Sequence, residues 1–172
     1  ALASTATDNL YNTAVGYQAL QLTTTAYNNT AVGYQALNKT TTGVSDSTAV
    51  GYKSLQNNST GGRNTALGSS ALYTNSAGSY NTAAGYQSLY YNTSGSSNVA
   101  FGLAALYSTT TGNNNTAVGN NALKANTTGS NNVALGYYTG SSITTGDYNV
   151  AIGSYVASTT LTTGSSNILI GN

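Results

Sequence analysis

Chemistry on a protein surface needs groups that titrate, attack or ligate, and this chain holds very few. It has no His and no Cys, which removes the usual general bases, thiol nucleophiles and soft-metal ligands. Its only carboxylates are Asp8, Asp46 and Asp147, each in a different repeat. A glycosidase pair or a carboxylate-rich calcium cage is therefore not expected. Ser and Thr are abundant, yet none sits beside an activating base, and no Gly-Lys pair could open a Walker A loop. The expectation is a protein with no catalytic, metal or cofactor-binding residues. Lys39, Lys53, Arg63 and Lys124 form no basic stripe and the net charge is +1, so the footprint of a nucleic-acid binder is missing. The longest apolar run, 99–106, is too short to span a bilayer. What remains is a stock of fifteen tyrosines and several Asn-x-Ser/Thr triplets, at Asn28, Asn38, Asn92 and Asn126, with Thr clusters as further glycan acceptors.

These residues are positioned by a repeat. The stretch Asn12-Thr13-Ala14-Val15-Gly16-Tyr17-Gln18-Ala19-Leu20 returns with small changes along the whole chain. Its glycine falls at 16, 33, 51, 68, 85, 102, 119, 136, 153 and 171, a step of 17 with two steps of 18. A fixed short period is the mark of a solenoid, in which each coil contacts mainly its neighbours. The sequence predicts an all-β parallel β-solenoid of about ten 17-residue coils, a single array over 1–172 with altered coils at 136–172.

Counting from the signature glycine as zero, position −1 is aliphatic or aromatic, −2 is Ala in nine coils, and −3 is Thr or β-branched. This alternation predicts a short strand with two unlike faces. The bulky −1 residues are expected to point into the coil, beneath a second column of Leu at +4 (Leu20 to Leu123). The Ala side is thin enough for another backbone to approach. It is the expected face of a trimer: Ala14, Ala31, Ala49, Ala66, Ala83, Ala100, Ala117, Ala134 and Ala151. Asn at −4 suggests either a hydrogen-bonded ladder or left-handed turn geometry. Gly at −7 (Gly61 to Gly164) suggests positive φ in a tight turn. Tyr17, Tyr34, Tyr52, Tyr86 and Tyr137 make a row at +1, with further tyrosines at +5 and −5. Such a row could stack on sugars or on another protein, or seal a coil edge or a subunit interface.

One coil buries little apolar side chain against the entropy of ordering 17 residues. A partner is therefore expected, and symmetric association of identical chains is the simplest source of one. No basic or apolar leader opens the chain, and both ends break off inside a repeat. Flanking sequence or end-to-end stacking is expected.

The repeated Asn-Thr-Ala-Val-Gly-Tyr-Gln-Ala-Leu followed by Thr-Thr-Gly resembles the head repeats of trimeric autotransporter adhesins, the YadA-like head. It is equally similar to repeats of phage tail-fibre proteins. The matching core runs from 12–16 through 149–153, though the period of 17 is longer than usual for the family. The resemblance implies a left-handed β-roll, three chains side by side, displayed extracellularly on a cell or virion surface. The implied partners are copies of itself and a host receptor, matrix protein or glycan. No nucleic acid and no membrane insertion of this segment are expected. An adhesive bacterial-surface rod, a tail-fibre shaft, an ice-binding solenoid presenting Thr23-Thr24-Thr25, Thr40-Thr41-Thr42 and Thr109-Thr110-Thr111, and a ligand-free filament subunit are the competing functions.

Overall fold

The computed structural model describes residues 11–21, 25–41, 43–159 and 161–171. Asp8, Thr23, Thr24 and Thr42 lie outside them, as does the opening of the chain. Ten strands of three residues follow one another: β1 Thr13–Val15, β2 Thr30–Val32, β3 Thr48–Val50, β4 Thr65–Leu67, β5 Thr82–Ala84, β6 Val99–Phe101, β7 Thr116–Val118, β8 Val133–Leu135, β9 Val150–Ile152 and β10 Ile168–Ile170. They pair in chain order as one parallel ten-stranded sheet. Each strand meets the equivalent residues of the next, as in Thr13↔Thr30, Ala14↔Ala31 and Val15↔Val32. The chain is an all-β parallel solenoid of about nine turns.

The hydrogen-bond ladder continues around the coil beyond the strands. Gln35 N donates to the Tyr17 carbonyl at 2.9 Å, Leu37 N to Ser54 O at 3.0 Å and Arg63 N to Ser45 O at 2.8 Å. The signature glycines from Gly16 to Gly153 stack in one column with φ between +124° and +143°. A Cβ built on any from Gly16 to Gly153 would collide with the backbone of the next coil. At −7 the outcome differs from expectation. Gly61, Gly78, Gly95, Gly112, Gly129 and Gly146 do not have positive φ. They are glycine because a Cβ there would run into the carbonyl oxygen of the next glycine in the column.

Left-handed backbone is carried instead by side-chain-bearing residues. It recurs at −5 (Tyr80, φ 60°), at +2 (Gln87, φ 55°) and at +4 (Leu89, φ 50°). The −4 asparagines do not adopt it. They form the axial ladder, Asn81 N donating to Asn64 Oδ1 at 2.9 Å and Asn81 Nδ2 to Gly95 O at 2.8 Å.

The strand faces are reversed from the sequence expectation. The Ala column is inside: Ala31, Ala49, Ala66, Ala83, Ala100, Ala117 and Ala134 have no solvent exposure, Ala151 almost none, and Ala14 is half-buried. The −1 residues point outward, and Val15, Val50, Leu67, Phe101, Val118 and Leu135 are exposed. The interior is narrow. The +4 leucines cross it from the opposite wall, with a further small column at +3 (Ala19, Ala36, Ala71, Ala105, Ala122), and these residues form one buried cluster. Only Ala fits opposite Leu. Of the nine alanines assigned from sequence to a trimer face, eight are therefore buried inside the coil and Ala14 is packed against its core, rather than forming an exposed face.

Two polar columns share this interior. Besides the −4 asparagines, Asn58, Asn75, Asn92 and Asn126 at −10 are fully buried. Each donates Nδ2 to the glycine carbonyl three residues on, and Asn75 and Asn92 also donate to the Asn Oδ1 of the preceding coil at 2.7 Å. The altered coils are explained by this column. Where +4 becomes Gly140, the −10 position becomes Ile143, fully buried. A Cβ on Gly140 would lie 3.4 Å from Ile143 Cδ1 and 3.5 Å from Ala134 Cβ. The Ile methyl thus occupies the space that Leu fills elsewhere. Ala157 and Leu161 repeat the exchange one coil later, packed against the same core.

Candidate interaction surface

The outward sheet face is built directly by the three-residue strands. With −2 fixed inward, −1 and −3 must both face out, because side chains alternate along a strand. Stacking in register then lines the −1 residues into one apolar stripe along the axis, from Val15 to Ile170, with Phe101 its one aromatic member and Val32, Ala84 and Ile152 half-buried. Beside it runs the −3 column of Thr, Val and Ile, half-buried in most coils. Isolated exposed apolar residues are ordinary, but a contiguous row over the full length of a sheet is what an interface looks like.

Next to the stripe stand the tyrosines. Of the row expected at +1, Tyr17, Tyr34 and Tyr52 stack on one another, with ring centroids 5.4 Å apart. The column then breaks at Ser69, so Tyr86 has no +1 partner in the ladder. The stack resumes in the +5 tyrosines noted from sequence: Tyr73, Tyr90 and Tyr107 lie 5.1 and 5.4 Å apart. Tyr91 sits edge-on to the last two. Tyr137 joins neither ladder. It meets Tyr138 and Tyr155 edge-on at 4.7 and 5.2 Å, while Tyr138 and Tyr155 stack at 5.6 Å. The switch from +1 to +5 keeps the 17-residue step, since Tyr73, Tyr90 and Tyr107 are 17 residues apart.

The electrostatics of this surface are mild. A hydrogen bond with Tyr52 raises the Lys53 ammonium above its usual pKa, and the ammonium lies 5.2 Å from the Tyr52 ring centroid. Burial pushes the Tyr90 and Tyr107 phenols up, and a hydrogen bond with Tyr155 does the same for Tyr137. These four groups, each shifted upward from a value already above neutrality, therefore hold one charge state across the physiological range.

The charged residues are used between coils. Asn28 Nδ2 donates to Asp46 Oδ1 at 3.0 Å, Arg63 Nε lies 3.9 Å from Asp46 Oδ2, and Arg63 Nη1 donates to the Tyr80 hydroxyl. Asp147 Oδ1 accepts from Ser130 N at 2.6 Å. These contacts splice carboxylates into exposed axial ladders, where ion pairs contribute little. Among the described residues no group of three or more His, Cys, Asp or Glu could hold a metal ion. Nor is any helix among them long and apolar enough to cross a membrane.

Two sequence expectations lose their geometry. Asn38, Asn92 and Asn126 are buried, so their amides are not available as glycan acceptors, and only Asn28 of the four triplets is exposed. Nor do the described threonines of the triplets all face outward, because Thr40 and Thr109 are fully buried. Comparison with protein-family models, with curated proteins and with solved structures finds no match to this chain.

Proposed function

We propose that this chain is a segment of a stiff homotrimeric fibre, a left-handed β-roll displayed outside the cell for attachment to cells, matrix or glycans. One observation carries the reading. The sheet turns an apolar stripe outward, through Val50, Leu67, Phe101, Val118 and Leu135, which are exposed among the described residues. Three such stripes turned toward a common axis would cover one another, each chain contributing the same face, as closed symmetry requires. The number three and the handedness come from the resemblance to trimeric adhesin heads. The stripe supplies the reason to associate. Loops and the outer tyrosines would stay on the outside, where a receptor or glycan can reach them. Mounted on a virion, the same rod would serve as a tail-fibre shaft.

The test is mass by light scattering across a dilution series. The wild-type chain is expected to hold a three-chain mass into the low micromolar range. Leu67→Asp combined with Val118→Asp should give a monomer with an unchanged far-ultraviolet spectrum, because both side chains face out. A wild-type chain that is folded and monomeric throughout would overturn the proposal. A trimer indifferent to both substitutions would move the interface off the stripe.

A further inference from the structure

The stacked tyrosines have a property that neither adhesion nor assembly requires. In the ladder Tyr17–Tyr34–Tyr52 the phenols of successive coils lie 5.4 Å apart between centroids, with planes within 13–14° of parallel. All three are exposed, so a diffusible oxidant can reach them. Their partners are 17 and 18 residues away in sequence, yet the sheet register holds them side by side. Tyrosines without a stacked ring are no less accessible: Tyr11 is 83% exposed and Tyr148 64%. Exposure and stacking are thus separated within one molecule.

We propose that the tyrosine ladders are sites of oxidative cross-linking, at which a one-electron oxidant of the peroxidase class joins adjacent coils through dityrosine. Each of two stacked phenols gives up one electron and one proton to become a phenoxyl radical. The two radicals form one carbon–carbon bond between ring carbons ortho to the oxygens. The hydrogen on each of those carbons then moves to its oxygen, restoring both aromatic rings. Overall, two tyrosines and one hydrogen peroxide give one dityrosine and two waters. The protein supplies proximity. A radical on Tyr34 has partners held on both sides at a high effective concentration, whereas a radical on Tyr11 must wait for another molecule. The half-buried ladder Tyr73–Tyr90–Tyr107 has the same stacking and reacts more slowly, because access to its rings is reduced. Each link closes a loop of one coil and adds a covalent staple to neighbours otherwise held there by hydrogen bonds and ring stacking.

The experiment uses the whole chain at low micromolar concentration with peroxidase and limiting hydrogen peroxide, mixed from equal parts of isotope-labelled and unlabelled protein. The readouts are dityrosine fluorescence and mass spectrometry of a thermolysin digest. Links Tyr17–Tyr34 and Tyr34–Tyr52 within one chain are expected to dominate, followed by those of the second ladder. The oxidised protein should melt at a higher temperature. Tyr34→Phe keeps a ring in the stack but should abolish both links of the first ladder and leave the second unchanged. Links that follow exposure, with Tyr11 and Tyr148 as main partners, would overturn the proposal. So would links found only between labelled and unlabelled chains, or an absence of dityrosine.

Discussion

At the scale of the residue, the interior asparagine columns carry the sharpest consequences. In the −10 column Asn58 Oδ1 accepts from Asn75 Nδ2 and Asn75 Oδ1 from Asn92 Nδ2, one coil on in each case. The pattern stops at Thr109 and again at Ile143. Asn92 Oδ1, Thr109 Oγ1 and Asn126 Oδ1 are accordingly buried without a hydrogen-bond partner. An unmet buried polar atom costs about 1–3 kcal/mol. Thr109→Asn should donate to Asn92 Oδ1, accept from Asn126 Nδ2 and remove the orphaned hydroxyl, raising stability by about 1–3 kcal/mol in chemical denaturation. A loss of stability would mean that the column does not continue through that coil. A second prediction concerns the backbone. Ser97 is exposed at φ 58°, a region that costs an L-residue about 1–2 kcal/mol. Ser97→Gly is expected to be neutral or to stabilise by up to about 1 kcal/mol, whereas Ser97→Val should destabilise, since a β-branched residue tolerates that region poorly. Equal melting of the two variants would contradict this.

At the scale of the element, each coil is a packing unit in which +4 and −10 share one space. Leu with Asn fills it in the middle of the array, and Gly140 with Ile143 fills it near the end. Gly140→Leu alone should overpack against Ile143 and Leu123, whose Cδ2 would lie 3.0 Å from the new Cβ, at a cost of about 1–3 kcal/mol. Ile143→Asn alone leaves a void in place of the Ile side chain. Together they rebuild the pattern of the central coils and give Asn126 Oδ1 a donor. The double variant should recover most of both losses, with a coupling of about 1–3 kcal/mol, and strict additivity in the double-mutant cycle would refute the shared space. This exchange was only partly legible in the sequence. The strands were, because −3 to −1 coincides with β1 to β10 in every coil. So were the Leu core and the −4 ladder, which recur almost without interruption. The inward face was not, because hydropathy ranks Val above Ala, whereas the room left opposite Leu admits only Ala. The −10 column was hidden because Thr109 and Ile143 break its identity, and the −7 glycines were misread because close backbone approach and positive φ select the same residue.

At the scale of the whole molecule, stability and assembly should be linked. A solenoid gains its cohesion from nearest-neighbour interfaces, and this one devotes its inner strand face to Ala while turning its larger aliphatics outward. Much of the apolar side-chain area on its sheet is therefore exposed among the described residues. A partner that binds the folded chain and not the unfolded one stabilises by mass action, so the melting temperature becomes concentration-dependent. The wild-type protein is expected to melt at rising temperature as its concentration is raised. Leu67→Asp with Val118→Asp should melt lower and at a temperature independent of concentration, since a charge on the stripe meets a desolvation penalty only when the stripe is covered. Ala83→Leu separates the two roles of the strand. It overpacks a fully buried site and should lower the melting temperature at every concentration by an amount corresponding to about 1–3 kcal/mol, while leaving the concentration slope in place. If the slope vanished with Ala83→Leu and survived the two aspartates, the inner Ala face would be the assembly surface after all. A wild-type melting temperature flat across a hundredfold dilution, about 2.7 kcal/mol of mass-action range, would mean that the stripe is no self-association surface.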